Sequence, residues 1–307
     1  MIMLKNFVVL LTVTIFTSSC LLSPKNYIPI KREYFETGIS FDSSDTITAS
    51  PDSSLIKVLV WNIHKEGNYR DWVTDFQTIY EDKNPDIIIL QEARLNTGME
   101  YALKTLRAKE VKDKYDKIYW IFSPNLIERK HDVYSGVLTA SKLKPEKWDA
   151  LITEGLEPYV KTPKTALFTK YKISNSTELL VVNIHGINMV GYEEFTAQIT
   201  AIIEEIEKHN GPIIFAGDFN TRSKKRLKFL KDELNVPETG LDLVRVAYNE
   251  KDEKKIKTWF VLPTPLDHIF YSQKWLEVKQ DSTDVLEDIK SSDHKALFVE
   301  FKVKGIN

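Results

Sequence analysis

Cysteine is almost missing from this chain: Cys20 is the single one in 307 residues. No disulfide can close within one copy, and no cysteine cluster can hold a metal. A charge imbalance is missing too. Lys and Arg number 42 against 44 Asp and Glu, for a formal net charge of -2. Nothing therefore draws the whole chain to nucleic acid, and such a role would need a local basic patch. There is no glycine-rich phosphate loop, no heptad run and no repeat at a solenoid period, which excludes P-loop, coiled-coil and repeat architectures. What is present is core material. Hydrophobic residues make up 42% and aromatics 11%, ample for a large core and unlike a disordered or fibrous chain.

The first twenty residues differ from the rest. "MIMLKNFVVLLTVTIFTSSC" has Lys5, then an apolar stretch through Phe16, then small polar residues and Cys20. That is the pattern of a secretory signal peptide, too short in its apolar part for a comfortable membrane span. The cysteine after "FTSS" resembles a bacterial lipobox, although Thr17 stands where such boxes prefer leucine. The expectation is a lipidated Cys20 that anchors the chain to a bacterial membrane, the outer one in a Gram-negative cell. A cleaved periplasmic or secreted product is the alternative. Residues 21–54, with "SFDSSDTITASPDSS", read as a tether or N-terminal extension. The main domain is expected over 55–307, as a monomer.

Within it, "LIKVLVWNI", "PDIIILQEA", "DKIYWIFS", "SGVLTAS" and "GPIIFAGDFN" read as strands. "KTALFTKYKI" and "ELLVVNIHGI" read as a hairpin around "SNST", and "TWFVLPTPLDHIFYS", "WLEVKQ" and "ALFVEFKV" as further strand-like stretches. Helices are expected over 70–83, 98–110, 192–209 and along "SKKRLKFLKDEL". In 192–209, Phe195, Ile199, Ile202, Ile203 and Ile206 form a stripe. Many strands with a few helices imply an α/β or α+β sandwich.

Polar residues recur where these strands end. Asn62 closes "VLVWN", Glu92 closes "IIILQE", and "LLVVNIH" delivers Asn183 and His185. "IIFAGDFN" delivers Asp218 and Asn220, whose i, i+2 spacing on extended backbone sends both side chains to one side. Asp267 and His268 open one strand, and Asp293 and His294 precede another. Groups at the ends of rigid strands are preorganised. Singly, each is a turn residue; together they point to a site.

The ordered set "WN", "QE", "SG", "NIH", "GDFN", "LDH" and "SDH" resembles the endonuclease/exonuclease/phosphatase superfamily, over roughly 55–303. Within that superfamily "VWNI", "LQEA", "KTAL" and "VVNIHGIN" look closest to the YafD-like bacterial proteins. The resemblance implies a four-layer αββα sandwich of two packed mixed sheets, as in DNase I, and metal-dependent phosphoester hydrolysis. It implies Mg2+, with Mn2+ as an alternative, held by Glu92, with Asn62 orienting Glu92 or binding the hydrated ion and Asp293 as an additional ligand; Mg2+ prefers oxygen ligands. It makes Asp218 the group that orients or activates water. Asn220 would hold a phosphate oxygen or the Asp218 carboxylate. His294, paired with Asp267, would stabilise the transition state, and His185 would protonate the leaving group or touch the phosphate. Asn188 is a candidate for phosphate contact, Arg129 with Lys130 and His131 for contact with a phosphate or headgroup, and Arg222 opens a basic cluster with Lys224, Lys225 and Arg226 that is a further candidate for substrate contact. His64 is open between site rim and structure, and His268 is expected in the core.

The leading expectation is a phosphodiesterase or nuclease. Hydrolysis of a phospholipid or small phosphoester, in the manner of a sphingomyelinase or an inositol-phosphate phosphatase, is the second. A non-catalytic envelope binding protein is the reading of a different class, and the presence of Glu92, Asp218 and His294 weighs against it.

Overall fold

A computed structural model describes residues 27–30, 35–40, 54–66, 69–95, 118–130, 132–236, 240–256 and 263–305. The N-terminal twenty residues with Cys20, the expected helix at 98–110 and His131 lie outside the described residues. Two sheets face each other. The first contains β1 (Tyr27–Pro29), β2 (Glu36–Ser40), β3 (Leu55–Asn62), β4 (Ile87–Leu95), β5 (Ile118–Glu128) and β6 (Val133–Ser141). It is completed by β14 (Leu276–Val278), β15 (Asp284–Leu286) and β16 (Ala296–Val303), and its order is β1-β5-β6-β4-β3-β16-β14. The second sheet holds β7 (Pro145–Ile152), β8 (Thr165–Lys172), β9 (Glu178–His185) and β10 (Ile213–Asp218). With β11 (Asn235–Val236), β12 (Leu241–Arg245) and β13 (Asp267–Ser272) it runs β11-β12-β13-β10-β9-β8-β7.

The central strands read as unbroken apolar runs because both of their faces are buried. In β3, Ile56, Val58 and Val60 join the core between the sheets, while Leu59 and Trp61 pack outward. The outward layer is α1 (Tyr69–Lys83), whose Trp72, Phe76, Ile79 and Tyr80 recur at helical spacing. Trp72 stacks on Phe76 at 5.0 Å. On the far side, α2 (Tyr192–Ile206) and α3 (Lys224–Leu234) cover the second sheet through Phe195, Ile199, Ile202, Ile206, Leu230 and Leu234. Truncating Phe195 to alanine would cost about 3–5 kcal/mol, since such a core closes only partly around a cavity. A short α4 (Glu250–Lys255) follows β12. Two mixed sheets flanked by helices are the αββα sandwich that the sequence implies.

Strand direction decides where the site lies. Each sheet carries one parallel pair joined through a helix, β3–α1–β4 and β9–α2–β10. The next strand in each sheet is antiparallel, β16 beside β3 and β13 beside β10. The C-terminal ends of the parallel strands therefore meet the N-terminal ends of β13 and β16 along one edge of the sandwich.

Two local features differ from the sequence expectations. Parts of the 21–54 extension join the first sheet, where β1 and β2 both pair with β5. Of "TWFVLPTPLDHIFYS", residues 258–262 lie outside the described residues, and the strand that follows runs from Asp267, where the ladder with β10 begins. Asn183 is no site residue: its Nδ2 donates to the carbonyls of Leu90 and Leu138, and its Oδ1 accepts from Gln91 Nε2 at 2.8 Å. It joins the sheets through a polar contact inside the core, where an unpaired amide would be costly.

Candidate active site

The polar strand ends converge. Ladder pairing sets Asp218 opposite His185 on one side and Asp267 on the other. Gly217 precedes Asp218 with φ 140°, and a Cβ there would lie 2.1 Å from the Ile184 carbonyl. Only glycine lets β10 run this close to β9. Among the non-glycine residues with positive φ are two from the polar strand ends, Glu92 (φ 55°) and Asn220 (φ 52°). Glu92 sits in a bulge of β4 between Leu90 and Ala93. A bulge re-aims a side chain, and backbone strain of this kind gathers at functional sites.

Asp218 is held from two sides. Its Oδ2 accepts from Asn62 Nδ2 at 3.0 Å, and its Oδ1 accepts from the Asn220 backbone N–H at 2.9 Å. Asn62 thus orients Asp218 rather than Glu92, and its own Oδ1 accepts from the His64 N–H. Asn220 acts through its backbone as an Asx turn, while its side chain donates to the Gly186 carbonyl at 2.9 Å. His294 Nδ1 lies 2.7 Å from Asp267 Oδ2, and His294 Nε2 is 3.9 Å from Asp218 Oδ2. His185 Nε2 stands 3.8 Å from Asp218 Oδ2 and 3.9 Å from Glu92 Oε1.

These neighbours set the protonation states. Burial disfavours charge on His294, but the Asp267 carboxylate outweighs it and pushes the imidazole up to about 10. Burial, with the charge of Asp267 added, raises Asp218 well above the ordinary carboxylate range, against the pull of His294. Burial also opposes charge on Glu92, yet His185, Lys164, Lys65 and His64 hold it down to about 2. Burial and the Lys164 ammonium keep His185 well below its ordinary value. At neutral pH the site holds an ionised Glu92, a charged His294 and a neutral His185.

A cavity of about 450 Å³ opens over this floor. Glu92, His185, Asp218, Asn220, Asp293 and His294 line it, with Asn188 and Arg222 on one wall. Asn188 Oδ1 accepts from Arg222 Nε at 2.6 Å. Asn62 and Asp267 stand behind this lining. Asp293 pairs with His64 at 2.9 Å on the rim. Arg129 is exposed in the turn after β5 and is not among the cavity-lining residues. The basic cluster divides: Arg222 faces the cavity, Lys225 covers the Tyr192 ring, and Arg226 is buried against the carbonyls of Asn220, Val190 and Gly191. His268 is in the core as expected. It accepts from Arg245 Nε at 2.8 Å and meets Thr221 Oγ1 at 2.8 Å.

The Endonuclease/Exonuclease/phosphatase family model matches residues 59–294, from β3 to the histidine before β16. The chain belongs to this family. A UPF0294 protein of Erwinia tasmaniensis is 33% identical over 253 residues, 81% of this chain and 82% of that one. A UPF0294 protein of Vibrio campbellii is 32% identical over 248 residues, covering 80% and 77%. Among solved structures, an endonuclease/exonuclease/phosphatase from Beutenbergia cavernae aligns over 82% of this chain and 72% of its own, with TM-score 0.59 and 15% identity. The human Nocturnin catalytic domain with bound sulfate aligns over 82% and 95%, with TM-score 0.57 and 19% identity. These structures show the fold.

For a member of the family, the donor set suits a divalent ion. Asp218, Asp267 and His294 offer ligand atoms all within 4.8 Å of one another. The Asp267 Oδ1 atom is buried without a hydrogen-bond partner, so a cation would satisfy it. Fold and donor set together support metal-dependent phosphoesterase chemistry in general. Glu157, Lys164, Lys65 and Tyr27 also line the cavity, and sequence reasoning had missed them. For Lys164 a signal existed. It directly precedes "TALFTKYK", and in an antiparallel hairpin the start of β8 lies beside the end of β9, where His185 sits.

Proposed function

We propose that this chain is a divalent-metal-dependent phosphodiesterase working in the bacterial cell envelope, with nucleic acid as the leading substrate. The reading is carried by one observation: a buried Asp218 with His185 and His294 each within 4 Å of it, opening on a cavity that Glu92 also lines. Two donor sets are at hand. The Asp218, Asp267 and His294 atoms could hold an ion only with a neutral His294, so Mg2+, with Mn2+ able to substitute, is assigned to the oxygen set of Glu92 and Asp293 on the cavity wall, with Asn62 orienting Asp218 behind it. The ion would neutralise charge on the phosphoryl oxygens. Asp218, fixed by Asn62 and the Asn220 N–H, takes the proton of the attacking water. Its raised pKa brings it nearer the working pH of a general base. The His294 imidazolium, supported by Asp267, faces the developing negative charge. Asn188 and Arg222 orient the phosphate.

A second reading has one observation in its favour. A cavity of about 450 Å³ fits a compact phosphoester, such as a lipid headgroup or an inositol phosphate, better than a flat-lying duplex. Kinship with the YafD-like proteins rests on the motif strings. Anchoring rests on the apolar N-terminus and Cys20, and the working unit is taken as a monomer. The test is an activity panel with plasmid DNA, RNA, bis-p-nitrophenyl phosphate, sphingomyelin and inositol phosphates, with Mg2+, with Mn2+ and with chelator. Hydrolysis is expected only with metal; equal hydrolysis in chelator would refute the metal requirement. Intact mass of the membrane-extracted protein tests the lipid on Cys20, and a mature chain lacking Cys20 would exclude it.

A further inference from the structure

Among the described residues, Lys164 is the one lysine within hydrogen-bond distance of an imidazole of the site, that of His185. Its side chain is only 10% exposed, and its Nζ lies 3.2 Å from His185 Nε2 and 3.4 Å from Glu157 Oε1. Its backbone is fixed as well: its N–H donates to Thr153 Oγ1, and its carbonyl accepts from the Thr153 N–H, both at 2.9 Å. Glu157 is fixed in turn by the Asn188 N–H at 3.0 Å. A buried ammonium with one carboxylate partner is costly, and its position inside a reaction cavity asks for a use.

Donor and acceptor rules give that use. A lysine ammonium has three donors and no acceptor, so in its contact with Lys164 the His185 Nε2 atom must be the acceptor. The same Nε2 is the His185 atom closest to Glu92 and Asp218. The face that His185 turns toward the reacting centre therefore carries a lone pair, not a proton. Lys164 spends one donor on His185 and one on Glu157, and the third has no acceptor among the described residues. It is free for a group in the cavity that Lys164 lines.

We propose that Lys164, held by His185 and Glu157, is the proton donor to the leaving oxygen. This rests on the phosphodiesterase reading above. The water oxygen bonds to phosphorus as its proton passes to the Asp218 carboxylate. The bond from phosphorus to the leaving oxygen breaks, and that oxygen takes a proton from Lys164 Nζ. Lys164 then regains a proton from bulk water, and Asp218 releases one to it.

The test compares leaving groups. Full-length wild-type, Lys164→Met and Lys164→Arg proteins are assayed with Mg2+ on aryl methyl phosphates, from p-nitrophenyl to unsubstituted phenyl. Nitrophenolate departs without a proton, whereas phenoxide, the ion of a phenol whose pKa is about 10, needs one. Lys164→Met should slow the phenyl ester about 10²-fold or more and the p-nitrophenyl ester less than about tenfold. Lys164→Arg, which keeps the charge but gives up a proton far less readily, should show the same split in weaker form. Equal losses on both esters would overturn the proposal in favour of a purely positioning role, and no loss on either would overturn it outright. A wild-type protein inactive across the whole series, while correctly folded, would overturn the phosphodiesterase reading and this inference with it.

Discussion

The chain contains two Asp-His dipeptides, Asp267-His268 and Asp293-His294, and neither pairs within itself. Asp267 reaches across to His294, and both are buried, with side-chain exposures of 3% and 8%. Asp293 turns the other way to His64 on the rim, where the exposures are 39% and 57%. The contact lengths are nearly the same, 2.7 and 2.9 Å. Burial separates them. In the interior a carboxylate strongly dictates the state of an imidazole, while on the rim water and salt screen the same contact. His268, behind the site, has a cation for a neighbour instead, and burial and Arg245 keep it neutral.

The largest expected effect falls on the buried pair. His294→Ala and Asp267→Asn should each lower kcat/KM by about 10²-fold or more, mostly through kcat, because these groups serve the transition state. Asp218→Asn belongs with them. Circular dichroism controls for folding. If His64→Ala were as damaging as His294→Ala, burial would not be what distinguishes the pairs. Next comes stability behind the site: His268→Leu strands Arg245 Nε, while the Thr221 hydroxyl keeps the Pro265 carbonyl, and should cost about 1–3 kcal/mol in urea unfolding, with the metal requirement unchanged.

A third expectation concerns pH. His294 binds its proton more tightly folded, at about 10, than at its ordinary 6.5. Its contribution to stability is therefore complete below 6.5 and is lost as pH rises through about 10. Wild type should become easier to unfold with urea across that window, and Asp267→Asn should flatten the slope. An unchanged slope in the mutant would remove Asp267 as its cause. The smallest effect belongs to the rim: His64→Ala should change stability by less than about 1 kcal/mol, less still in high salt. A larger loss would mean the rim pair is more than a screened contact.

The two dipeptides also mark how far sequence reading reaches. That polar groups end the apolar strands was legible, because a strand buried on both faces leaves a continuous run whose end is easy to see. Helical spacing likewise gave α1, α2 and α3. The partner of each polar group was less legible, because it depends on which strands become neighbours. Asp267 was matched to His294 correctly. Asn62, however, was assigned to Glu92 and in fact holds Asp218, in the facing sheet. Asn183 had the same strand-end signature as His185, two residues on and on the same face of β9, but it lies one step further from the strand end, between the sheets, where Gln91 and the carbonyls of Leu90 and Leu138 take up its side chain. Lys164 and Glu157 come from the stretch before β8, where no apolar period announces a strand end.

The place of β16 has a kinetic consequence. This last described strand pairs with β3 in the first sheet, so that Lys302 stands opposite Leu55. Asp293 and His294 lie on the chain just before it. During synthesis β3 has no partner on this edge until β16 has emerged, and contacts this distant in sequence form slowly. The carboxylate of Asp267 waits without its imidazole throughout that interval. The pairing of Asp267 with His294 is thus one of the last contacts of the described fold to close.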